Sequence, residues 1–202
     1  MARYTGPKQR LQRQIGEDLG LKTNALRTAK RINVRPGQHG AKRRRRLSDY
    51  GVQLKEKQKL KYIYGILEKQ LKKLYEKAEV SDLGTGSALI VYLERRLDNV
   101  VYRLGWAPTR AAARQLVAHG HIKVNNKKMN APSYSVKKGD VIKLSKKAMS
   151  IPAVSEGLGD ESYAVPEWLE RKQNLASVQE MPVRDKVEEK IDVQLIVEYY
   201  SR

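Results

Sequence analysis

The first 46 residues carry no apolar period, and this limits the chain more than any other feature of its sequence. Gly6-Pro7, Gly20, Pro36-Gly37 and Gly40 punctuate the stretch, which closes on the run Lys42-Arg43-Arg44-Arg45-Arg46. So little apolar surface cannot offset the conformational entropy of ordering the backbone. The segment therefore predicts a basic N-terminal arm over residues 1–46, extended apart from short helical turns and ordered mainly against its partner.

Charge is segregated along the chain in the same sense. Residues 1–50 hold 14 Lys+Arg against 3 Asp+Glu, residues 51–80 hold 8 against 4, and residues 81–150 hold 13 against 4. Residues 151–202 reverse the balance, with 6 against 11. A net charge of +19 on 202 residues, confined to the first three quarters, points to a polyanion as partner. The plainer alternative is a generically basic, well-solvated protein. No basic helix with a bulky Trp/Leu face is present to favour an anionic membrane surface. The N-terminus lacks the apolar core of a signal peptide, and no run approaches the ~18 apolar residues that span a bilayer. The expected location is the cytoplasm. With no cysteine, disulfides and thiolate metal sites are excluded.

Beyond the arm, Leu60, Ile63, Leu67, Leu71, Leu74 and Ala78 recur at helical steps, supported by Glu68→Lys72 and Glu56→Lys59. Asp82 to Gly86 interrupts them. Leu89, Leu93, Leu97, Val100 and Leu104 form a second stripe that Gly105 ends. Thr109 is a good N-cap and Gly120 a good C-terminal stop for a helix of about three turns between them. Ile122 and Val124 alternate as in a strand, Asn125-Asn126 suits a tight turn, and Val136 to Leu144 reads as turn then strand. These signals predict an α+β chain: a mostly helical first domain over 47–92, completed by 151–202, with an inserted α/β module of two helices and a small antiparallel sheet over 93–150. Residues 151–190 read as loop, with a short helix near Pro166–Glu170. The apolar run Leu195–Tyr200 is expected to pack back onto an earlier domain.

Two features suit RNA. The glycines beside His39 let the backbone approach a surface, and the arginines after it suit bidentate phosphate contacts. Arg110 and Arg114 share a face of a helix whose N-terminus presents free N–H groups. Each also reads as solvated basic surface. Arg96-Leu97-Asp98 is shared with the short motif that holds the catalytic aspartate in pseudouridine synthases. Three residues make a weak motif, and Asp98 falls in a helical stripe where Arg95 or Tyr102 can pair with it. His119 and His121 lack the further ligands of a zinc site. No Walker sequence or dinucleotide glycine pattern is present. No cofactor and no metal are expected. The eleven Tyr are available for base stacking, but each alone reads as core.

Longer stretches resemble one family. Met1–Lys8, Pro36–Gly40, Leu47–Gly65 and Leu195–Arg202 are similar to segments of the small-subunit ribosomal protein S-four family, zinc-free type. Arg96–Gly105, Thr109-Arg110 and Ala113–Val117 resemble the RNA-binding module named after it. The resemblance implies a non-enzymatic protein that binds the 5′ domain of small-subunit rRNA early and nucleates subunit assembly. It also implies a place near the mRNA entry channel beside ribosomal protein S-five, a contribution to translational accuracy and, in some members, binding to the protein's own mRNA. The module is implied to sit between the helical segment and a C-terminal strand of the first domain. Some members hold zinc with four N-terminal cysteines, which are absent here.

Arm candidates for RNA contact are Arg3, Lys8, Arg10, Arg13, His39, Arg43, Arg44, Arg45 and Arg46. Body candidates are Tyr50 and Lys55. Module candidates are Arg95, Arg96, Arg103, Thr109, Arg110, Arg114, Lys123 and Asn125. The acidic last quarter is expected to face solvent or a protein neighbour. The competing readings are an RNA-modifying enzyme acting through Asp98, and an RNA chaperone that shares only the module.

Overall fold

A computed structural model describes residues 3–24, 26, 29–42, 46–160, 163–183 and 191–201. The chain is α+β, with a five-stranded antiparallel sheet in its second half. It divides into two compact units, Met1–Leu89 with Glu189–Arg202, and Ile90–Glu188.

In the first unit, helices α1 (Lys8–Ile15), α2 (Asp49–Tyr64) and α3 (Glu68–Glu79) are followed by the start of α4 (Thr85–Glu94). The Ser48 hydroxyl caps α2 by accepting from the Gly51 N–H, and Gly65 ends that helix at φ 62°. The single helical stretch expected over 60–78 is thus two helices. The arm is also more folded than expected. Leu11 and Ile15 of α1 and the following Leu19 are buried, and α1 packs on α2. Three apolar side chains spaced four apart suffice because α2 supplies the other wall.

The C-terminal segment closes this unit as helix α9 (Val193–Tyr200), not as the strand the resemblance implied. Val193 and Ile196, three apart, are buried on one face, and Asp192 caps the helix by accepting from the Gln194 and Leu195 N–H groups. α9 packs on α2, with Gln53 donating to Glu198 at 3.0 Å and the Tyr200 hydroxyl donating to Glu68 at 2.8 Å. Glu68 also receives Lys57 at 2.8 Å and Lys61 at 3.2 Å. These partners occupy the carboxylate expected to pair with Lys72. The Glu56–Lys59 pair is present at 3.9 Å.

In the second unit, α5 (Leu97–Arg103) and α6 (Arg110–Ala118) precede strands β1 (Ile122–Val124), β2 (Lys127–Met129) and β3 (Val141–Leu144). The expected stripe over 89–104 breaks at Arg95-Arg96, where Arg96 bridges to Ser135. Thr109 caps α6 by accepting from the Ala112 N–H at 3.2 Å, and Gly120 follows it at φ 71°. Asn125 and Asn126 take φ 49° and 64°, the left-handed pair that a two-residue hairpin needs.

The sheet then continues where the sequence predicts loop. After α7 (Lys146–Met149) and α8 (Pro152–Gly159), strands β4 (Leu169–Lys172) and β5 (Leu175–Val178) complete the order β2-β1-β3-β5-β4. β5 pairs with β3 through Ile142↔Ala176, which satisfies an edge that β3 would otherwise expose. The expected helix near Pro166–Glu170 is a turn entering β4, held by the Leu169 N–H on the Pro166 carbonyl at 2.9 Å. Residues 151–178 therefore go with the module, and the helical unit takes back only 189–202. One core holds Leu97, Val100, Leu104, Trp106, Val117, Ile122, Ile142, Ala176 and Val178.

Candidate nucleic-acid interface

The module's arginines divide into those that build it and those at its surface. Arg103 places Nε and Nη2 on the two oxygens of Glu94, at 3.0 and 3.1 Å. The side chains of Arg103 and Glu94 are 8% and 1% exposed. Asn99 joins them, donating to Glu94 Oε2 at 2.8 Å and accepting from Arg110 Nε at 2.8 Å. Arg96 grips Asp98 in the same fork, at 3.1 and 2.7 Å, and Arg114 approaches that carboxylate at 3.7 Å. Arg96, Arg103 and Arg114 are all buried.

Such forks match guanidinium geometry to carboxylate and satisfy several donors at once, which buried charge requires. They also take these arginines out of reach of an incoming phosphate. Asp98 thus pairs with Arg96 and Arg114 rather than with Arg95 or Tyr102. At 4% exposure it is no accessible catalytic carboxylate. No sequence pattern announced these pairs, because Glu94–Arg103 spans nine residues and two helices.

Arg110 lies half-buried, its guanidinium 4.4 Å from the Tyr102 ring centroid. Its position at the start of α6 places it beside the capping Thr109. Arg95 is half-buried and donates to the Val136 carbonyl at 3.0 Å. Asn125 is exposed, yet its side chain donates to Asp140 at 2.8 Å and accepts from the Val141 N–H at 2.9 Å. It holds the hairpin to β3. Asp140 receives the Tyr134 hydroxyl as well, and burial together with that carboxylate pushes the Tyr134 phenol up. Lys123 is exposed on β1.

In the first unit, Arg3, Arg10, His39 and Arg46 are exposed. Arg43, Arg44 and Arg45 lie outside the described residues. Arg13 is half-buried and donates to the Val34 and Arg35 carbonyls at 2.7 and 3.0 Å, which holds the segment leading to His39. Lys8 is half-buried on α1. Tyr50 is exposed, with its ring 5.7 Å from that of Tyr199. Lys55 reaches Glu17 at 3.4 Å, and Lys59 reaches the same carboxylate at 2.6 Å. Burial works to raise the Glu17 carboxyl, but the Lys59 and Lys55 ammonium groups outweigh it and hold it below its ordinary value.

Sequence reasoning passed over several exposed lysines of the module. Lys128 and Lys143 stand opposite Lys123 on the neighbouring strands, and Lys137, Lys138, Lys146 and Lys147 are exposed beyond them. Alternation along β1 and β3 was the available signal. No group of three or more candidate metal ligands clusters among the described residues. No helix among them is long and apolar enough to cross a membrane.

Residues 3–94 match the family model for the ribosomal protein S4/S9 N-terminal domain, and residues 95–142 match the S4 domain. A helical unit joined to this RNA-binding domain defines a ribosomal protein rather than an enzyme. Small ribosomal subunit protein uS4 of Parabacteroides distasonis is 49% identical over 204 residues, covering 100% of both chains. The proteins of that name from Aquifex aeolicus and Porphyromonas gingivalis are 50% and 47% identical, again over 100% of each chain. The chain belongs to the uS4 family.

Proposed function

We propose that this protein is a structural component of the small ribosomal subunit that binds rRNA through both of its units. The carrying observation is the separation of its cations. The buried arginines fold the module, whereas exposed Arg3, Arg10, His39, Arg46 and Lys123 remain for phosphate, with half-buried Arg110 at the margin. Full-length similarity to proteins named small ribosomal subunit protein uS4 supports the setting.

The finer reading is that it recognises the 5′ domain of small-subunit rRNA and nucleates assembly there. Neighbouring S-five, mRNA near the entry channel, a part in translational accuracy, binding to its own mRNA and a cytoplasmic location belong to the same proposal. Arg96, Arg103 and Arg114 act in it as supports of the module. Arg13 and Asn125 act as supports of loops, and the Arg43–Arg45 run extends the arm's contact set. Phosphate contacts set affinity and orientation, and rigid presentation lets the protein choose a folded junction by shape.

Equilibrium binding to the rRNA 5′ domain, titrated with salt, tests this reading against a scrambled-junction RNA of equal length. The expected outcome is steep salt dependence with a preference for the native junction of about 10³-fold or more. Equal binding to both RNAs would replace the assembly role with a chaperone-like one.

A further inference from the structure

The antiparallel register places three lysines side by side across neighbouring strands. Lys128 of β2 stands opposite Lys123 of β1, and Lys123 stands opposite Lys143 of β3. Directly opposed residues share a face of the sheet, and adjacent strands lie about 4.8 Å apart. All three are exposed, while Ile122, Val124, Ile142 and Leu144 between and beside them are buried. The row thus occupies the face turned away from the module's core.

Like charges placed directly opposite one another destabilise a sheet. None of the three lysines has a hydrogen-bond or ion-pair partner among the described residues. The same row runs on through Leu175 of β5 to Lys172 of β4, and there the pattern changes. Lys172 is paired with Glu170 at 2.7 Å, and Glu170 also accepts from Ser177 and Gln179. One end of the face is internally neutralised and the other is left uncompensated.

We infer that the Lys128–Lys123–Lys143 row is a second RNA site, a strip on the outer sheet face that takes sugar–phosphate backbone. The inference rests on the rRNA-binding reading above and extends it to a surface on the opposite side of the sheet from the core. The residue types select the ligand. Lysine is a compact, hydrated point charge suited to phosphate without geometric discrimination. The face presents Val141, Leu175 and Ser177 beside the row, with no aromatic ring to stack on a base. Lysine is depleted at protein–protein interfaces, where aromatic residues, Met and Arg concentrate. The strip therefore adds affinity and salt dependence but little sequence discrimination.

The test compares the full chain with its K123T/K128T/K143T variant on the rRNA 5′ domain across a salt series, with far-UV circular dichroism as the folding control. The log–log salt slope is expected to fall by about 0.7–0.9 per phosphate released, so by about two overall. The preference for native over scrambled junction is expected to stay. A second variant separates RNA contact from a structural role. Lys123→Thr alone should raise the urea midpoint of the RNA-free protein, because it relieves two opposed charges, while still weakening RNA binding. A lowered midpoint would mean that Lys123 serves the fold, and an unchanged slope in a folded triple variant would mean that the strip meets no RNA. An unchanged slope with loss of retention in assembled small subunits would give the strip to a protein neighbour, and would likewise overturn the inference. In each of these cases the broader rRNA reading survives if the unmodified chain prefers the native junction. It falls, and the strip with it, if that chain does not.

Discussion

Arg103 holds both carboxylate oxygens of Glu94 with two nitrogens of its guanidinium, although one residue ends α5 and the other ends α4. Removing one partner leaves the other as buried charge. Arg103→Ala should therefore destabilise the module by about 3–5 kcal/mol, measured as the shift in urea unfolding. Replacing both, as in R103M/E94L, should restore most of that loss, because matched apolar side chains need no partner. The double variant should also bind RNA with the salt slope of the unmodified protein. A reduced slope would show that Arg103 reaches phosphate after all.

Glu68 predicts a dependence on pH. Burial pushes its carboxyl up, but the Lys57, Tyr200 and Lys61 hydrogen bonds prevail and hold it below its ordinary 4.5. Because the folded value is depressed, its stabilisation is complete above 4.5 and disappears as pH falls through the lower folded value. Glu68→Gln should lower the urea midpoint at neutral pH, and the gap to the unmodified chain should close as the solution is acidified. The Glu68 side chain is 45% exposed, so solvent screening holds the direct ion-pair share to about 1 kcal/mol. A gap that stays constant down to acid pH would show that the ionised carboxylate contributes nothing.

Ile196 is fully buried where α9 meets α2. Ile196→Ala should cost about 2–5 kcal/mol through lost burial and the cavity left behind. The loss should appear as earlier exchange of the α2 amides, with those of β1, β3 and β5 unaffected. Equal loss in both sets would mean that the two units unfold as one.

At Asn125 the backbone and the side chain can be tested apart. Asn125→Gly keeps the left-handed turn and gives up the bonds to Asp140 and the Val141 N–H. Asn125→Val gives up the same bonds and places a β-branched residue at φ 49°. Thermal unfolding should rank the valine variant below the glycine variant, and both below the native residue. Reversal of the first two would show that the turn conformation is unimportant.

The parts of this fold legible in the sequence are those encoded within a few residues. Thr109 and Gly120 bracket α6 by local capping chemistry, and Asn125-Asn126 announces its own turn. The return of Leu195–Tyr200 onto an earlier element was readable from its apolar content alone. β4 and β5 were not, since four residues each are too few for alternation to stand out, and β5 is stabilised by β3 some thirty positions earlier. The site suffered from the same locality. Charge composition located the cationic regions, but whether an arginine meets phosphate or a buried carboxylate depends on partners distant in the chain. Arg96, Arg103 and Arg114 looked like Arg110 until their neighbours were known.

The two units also differ in when they can be finished during synthesis. Every strand of the sheet lies between residues 122 and 178, so the second unit has all its strands once that stretch has been made. The face of α2 that receives Ile196 must wait for residues 193–200, more than 120 positions later. Closure across so long a separation is slow compared with local pairing. The nascent chain is thus expected to complete its inserted unit first, while the unit that began it still shows an open apolar seam to chaperones and to RNA.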